Sequence, residues 1–230
     1  MRFSGSSSWR LELRDSQLLH VVLYIRDVAG IQVPVDPSVP PSLRNVAPGV
    51  APDPRVDAAD LGSRWLDWWR RLVVFEVESF EMVRAAQARH VPAEDWMRQL
   101  VDAHAGVFDP PDFPTLAGAP AMRDIAALRF REAHEWFSGR SGTPRHSRPE
   151  IPAISHAVIV RAAEGVAAER GVDLDRLDAA VDVLDVSGAW SCLVGRRYML
   201  CSTELALDGD AAEDVVRRAF ISGLDGSAES

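Results

Sequence analysis

A chain of 230 residues with 47% apolar and 26% charged side chains has an ordinary globular balance, enough for a sizeable core in one large domain or two small ones. All 25 basic residues are arginine, which excludes the usual forms of chemistry that need a lysine: Walker A phosphate binding, protein-kinase catalysis and Schiff-base formation. The formal charge is −9, and residues 171–230 carry most of it, so the chain lacks the basic stripe that displaces counterions from nucleic acid.

Trp9 to Arg14 alternates apolar and charged residues, the pattern of a short half-buried strand. Leu18, Leu19, Val22 and Ile25 then predict a helix that Ser16 caps and Gly30 stops, although the β-branched content also suits a strand. Seven prolines between Pro34 and Pro54 leave few amide donors, so this stretch is expected to run extended as a linker or arm. The strongest helix follows. Ala58, Leu61, Trp65, Trp68, Leu72 and Phe75 recur at spacings of three and four, with Leu66, Trp69 and Val73 widening the face and Asp60–Arg64 and Asp67–Arg71 pairing outside. The pattern continues less cleanly to His90. A second helix runs from near Pro92 to Gly106, and the proline-rich loop Asp109 to Pro114 follows.

Pro120 opens the next helix, whose stripe is Met122, Ala126, Phe130, Ala133 and Phe137. Residues 139–150 are the most loop-like in the chain and mark a break between subdomains, if two exist. Another helix covers 154–170, and Gly171 stops it. Val181 to Val186 reads as a strand, and Trp190 to Ser202 as a hairpin turning at Gly195-Arg196 in preference to Arg196-Arg197. Both turns place Cys192 and Cys201 on one face, as two reduced, buried thiols. A last helix has Asp210 at its N-cap, Glu213 three residues on, and Gly223 as its stop. The expected fold is therefore α+β: about six helices packed with a three-stranded antiparallel C-terminal meander, which the strand at 9–14 is free to join. It forms one unit over 9–222 with the proline-rich arm at 34–54, between flexible ends at 1–8 and 223–230.

The chemistry-bearing residue types form no recognisable constellation. His134 lies on the polar face of its helix, beside the Arg131–Glu135 pair, and His20 sits in an apolar run as a core histidine. Glu76, Glu78 and Glu81 lack the Glu-x-x-His partner of a di-iron bundle, and neither an HExxH nor a cysteine zinc set occurs, so no metal and no cofactor is expected. Gly139-Arg140-Ser141-Gly142 is not a nucleophile elbow. Two weak site assignments remain: Trp68 and Trp69 as interface residues at one rim of their helix, and Arg140, Arg145 and Arg148 as bidentate anion binders in the loop. The motifs point to no particular family.

The favoured reading is a non-catalytic protein-interaction or regulatory protein, acting with a protein partner or as a homo-oligomer, because the acidic C-terminal part suits a protein partner. The alternative is a lysine-independent hydrolase or small-molecule binder with its site near 139–150, which convergence of two or more of Glu132, Ser141, His146 and His156 in a pocket would favour. No nucleic acid and no membrane is expected to bind. No secretion signal is recognisable, two cysteines are too few for a disulfide framework, and the composition suits a GC-rich bacterial genome, which together predict a cytoplasmic protein.

Overall fold

The computed structural model describes residues 8–46, 49, 57–140 and 154–225. The chain divides into two units, one made of Met1–Ser16 with Glu150–Ser230, the other of Gln17–Pro149.

The first unit is a four-stranded mixed sheet with helices on it. Its strands are β1 (Arg10–Arg14), β2 (Asp178–Leu184), β3 (Ser191–Gly195) and β4 (Tyr198–Ser202), in the order β1-β2-β4-β3. β1 runs parallel to β2 and β2 parallel to β4, whereas only β3 and β4 are antiparallel. This corrects the expected C-terminal meander. β2 does not pair with β3; the hairpin inserts β4 between them, and the N-terminal strand adds to the far edge. Alternation along each strand decides the packing. Leu11, Leu13, Ala179, Val181, Val183, Met199 and Cys201 join one apolar core with α5 (His156–Arg170) and α7 (Gly209–Asp225). The hydroxyl of Ser155 caps α5, and Gly171 ends it at φ 62°. The short helix α6 (Thr203–Leu207) leads into α7, whose cap is Asp208 rather than Asp210: its carboxylate accepts from the amides of Asp210 and Ala211, each at 3.1 Å. α7 also runs past Gly223 to Asp225, so Gly223 is not its stop.

The hairpin register corrects a second expectation. The turn pairs Gly195 with Tyr198, but a bulge between Leu193 and Gly195 shifts the rest, setting Cys192 opposite Leu200 and Ser191 opposite Cys201. Directly opposed residues share a face, so one extra residue puts the two cysteines on opposite faces. Cys201 is fully buried, and Cys192 is only half-buried. Arg197 takes the positive φ of 107° that the turn demands.

The second unit is helical: α1 (Gln17–Val28), α2 (Ala58–Ala88), α3 (Ala93–Ala105) and α4 (Pro120–Gly139). Together with α5 to α7 this makes seven helices among the described residues, one more than expected. Asp57 caps α2 through the amides of Ala59 and Asp60, and the predicted face faces the core: Trp65, Trp68, Trp69 and Leu72 are fully buried. Asp60–Arg64 forms at 3.2 Å, whereas Asp67–Arg71 does not form among the described residues. Residues 31–46, which include the first part of the proline-rich stretch, run along this unit and are tied to it by side-chain hydrogen bonds to their carbonyls. Arg26 donates to the carbonyls of Pro40 and Pro41 at 2.7 and 2.8 Å, and Trp69 Nε1 donates to Ser38 O at 2.9 Å. The proline carbonyls, which keep their acceptors, supply the bonds that the missing amides cannot. Close approach needs Gly62, where a Cβ would stand 2.0 Å from the Gln32 carbonyl oxygen.

Candidate interaction surface

α3 is built as a helix by its residue types and ends. Pro92 precedes it, Glu94 and Asp95 in its first turn face the positive end of the dipole, and His104 lies in its last turn. Its composition is one-sided, yet none of its residues is buried. Two apolar rows run along it. Trp96, Leu100 and His104 are half-buried on the side of α2, where the His104 ring stands 5.6 Å from Phe75 and 5.6 Å from Phe108. Ala93, Met97, Val101 and Ala105 recur every four residues and are exposed, Met97 at 48% and Val101 at 67%. Beside them runs a charged row, Glu94, Arg98 and Asp102, all exposed and without an ion-pair partner among the described residues.

An isolated exposed aliphatic side chain is ordinary on any surface, and Val74 and Leu128 in the same unit are such cases. A row on one helix is different. Burying a Val or Met side chain is worth about 1.5–3 kcal/mol, and a 13-residue helix is marginal in water without a packed face. The outward row would therefore gain from being covered.

The site residues expected from sequence fall elsewhere. Trp68 and Trp69 are wholly interior: Trp68 Nε1 donates to Val107 O at 3.1 Å, and the Trp69 ring stacks on Trp65 at 5.6 Å. Neither presents surface to a partner. Arg140 ends α4 with its guanidinium over Trp136 at 5.3 Å and Phe137 at 5.2 Å, held by cation–π contact. Arg145 and Arg148 lie outside the described residues, as do Ser141 and His146. Glu132 accepts from the Tyr24 hydroxyl at 2.8 Å and pairs with Arg129 at 3.1 Å. Burial, followed by this hydrogen bond to a carboxylate, pushes the Tyr24 phenol from 10.0 up to about 12. His134 is exposed on α4, and His20 is fully buried against the rings of Trp136 and Phe137. His156 stands 5.7 Å from the Trp9 ring in the other unit. Among the described residues no group of three metal-ligating side chains occurs, and no helix is long and apolar enough to cross a membrane.

A cleft of about 290 Å³ is lined by Asp57, Asp60, Leu61 and Arg64 of the α2 start and by residues 118–122 leading into α4. Its polar groups already serve one another: Asp57 caps the helix and Asp60 holds Arg64.

One polar cluster was missed in the sequence. Asp182 is fully buried in the middle of β2 and accepts from the Tyr198 hydroxyl and from the Ser16 amide at 3.1 Å, with Arg14 Nε 3.7 Å away. Three strands thus contribute to it, and Arg14 also covers the Tyr198 ring at 5.5 Å. A carboxylate this enclosed and this well supplied with donors orders the sheet rather than meeting a substrate. Its signal was an acid inside Ala180-Val181-Asp182-Val183-Leu184, where every neighbour is apolar. Compared with protein families, with characterised proteins and with solved structures, the chain matches none.

Proposed function

We propose that this is a non-catalytic protein-interaction or regulatory protein that engages its partner through the outward face of α3. The observation that carries this reading is a strongly one-sided helix with no buried residue, whose exposed row of Ala93, Met97, Val101 and Ala105 is edged by charges that have no ion-pair partner among the described residues. An apolar centre with a charged rim is the anatomy of a protein-binding patch. The acidic balance of the chain argues for a protein rather than a nucleic acid as the partner.

A photo-crosslinking residue placed at position 101 in the native cell tests the reading. The expected result is a discrete light-dependent adduct that Met97→Glu abolishes, and that is absent when the crosslinker sits at the exposed Asp124 of α4. Equal labelling at both positions would contradict the reading. Saturable anion binding that depends on Arg140, with no adduct at position 101, would favour the small-molecule alternative.

A further inference from the structure

We infer that the partner on this face is a second copy of the same chain, joined by antiparallel packing of α3 on α3 about a two-fold axis. The inference rests on the interaction reading above. It is drawn from the order of residues in the two exposed rows.

A two-fold interface must be self-complementary. Running α3 antiparallel to its copy with Met97 against Val101 of the other helix also sets Ala93 against Ala105, so the bulky pair meets at the centre and the small residues close at the ends. In that same register Arg98 lies beside Asp102 of the other copy, and the symmetry makes the contact twice. The charged row reads acid, base, acid along Glu94, Arg98 and Asp102, so placing Arg98 against itself would oppose like charges; the four-residue offset turns that repulsion into two ion pairs. The apolar row and the charged row therefore select one register between them. Among the described residues neither Arg98 nor Asp102 has an ion-pair partner, so both are available.

The size of the face sets the strength. A helix of 13 residues is about 20 Å long, which is short of a standard interface. The net charge of −9 on each copy opposes association at long range, although physiological salt screens it beyond about 8 Å. The dimer is accordingly weak and concentration-dependent, with a Kd of order 10–100 µM.

Sedimentation of the full chain at physiological salt, from about 1 to about 500 µM, tests this. The expected result is a monomer that becomes a dimer across the range, with Met97→Glu weakening association at least about tenfold. Arg98→Asp alone and Asp102→Arg alone should each weaken it, because like charges then meet at both contacts. Mixing the two variants should restore a dimer containing one chain of each, since every contact again pairs opposite charges; a misfolded variant would not recover in this way. A monomer at every concentration, a dimer insensitive to Met97→Glu, or failure of the mixture to recover would each overturn the inference. A monomer whose position-101 crosslinker still captures another protein would remove self-association and leave the interaction reading standing; loss of both would remove both.

Discussion

Asp182 shows how a single side chain can organise a sheet. Its carboxylate accepts from the Tyr198 hydroxyl and the Ser16 amide and faces the Arg14 guanidinium, so Asp182→Ala removes a buried acceptor from all three at once. The expected loss is about 3–5 kcal/mol, read by denaturant titration, against less than about 0.5 kcal/mol for His134→Ala on the solvated face of α4. The two thiols differ in the same way. Burial, with a smaller push from the Asp182 carboxylate, raises Cys201 from 9.0 to about 12, whereas Cys192 is half-buried on the opposite face. Native protein should therefore label quickly at Cys192 and slowly at Cys201, without forming an intramolecular disulfide. Equal rates would mean that the bulge is absent. The raised values also fix the alkaline limb of stability. Tyr24 and Cys201 favour their neutral forms in the fold, so their contributions are complete below pH 9 and fall away as the pH rises towards 12. Cys201→Ala should flatten that limb in a pH series of thermal melts.

Among the elements, helices were the most legible, because a period of 3.6 over many residues averages out local ambiguity. The α2 face was readable from Trp65, Trp68 and Leu72, and the same logic placed α3 between Pro92 and Gly106. Reading Trp68 and Trp69 as a rim failed to weigh the width of that face: the elements around α2 cover a broad arc, and both indoles find backbone acceptors inside it. The strand errors have a different origin. A bulge adds one residue, and with a period of two a single residue reverses every face beyond it, so neither two-residue turn anticipated the outcome for Cys192. The proline-rich stretch reads as a linker or arm, and its ties to the helices are not legible, because its carbonyls are invisible to a pattern based on missing donors. Arg26 and Trp69 use those carbonyls, and Gly62 lets α2 come close. Gly62→Ala is expected to cost at least about 1–3 kcal/mol, since its Cβ would meet backbone that cannot rotate away. An unchanged melting temperature would show that the segment does not pack there.

At the scale of the whole molecule, the α+β class followed from composition and pattern, but the sheet order did not. Parallel pairing of β1 with β2 joins segments more than 160 residues apart, and nothing local to either strand records it. The proposed face was half-legible: the amphipathic pattern of α3 was in the sequence, whereas its exposure among the described residues is a property of the tertiary structure alone. Charge, by contrast, is fully readable, and at −9 the protein is expected to give no mobility shift with duplex DNA at about 10 µM and physiological salt. Self-association requires that the outward row of α3 be covered by another copy. Hydrogen–deuterium exchange at about 2 µM and about 200 µM protein reads this directly, because docking stabilises a helix that otherwise opens locally. Amides of α3 should exchange more slowly at the higher concentration while those of α4 stay unchanged, and exchange across α3 that is the same at both concentrations would contradict the account.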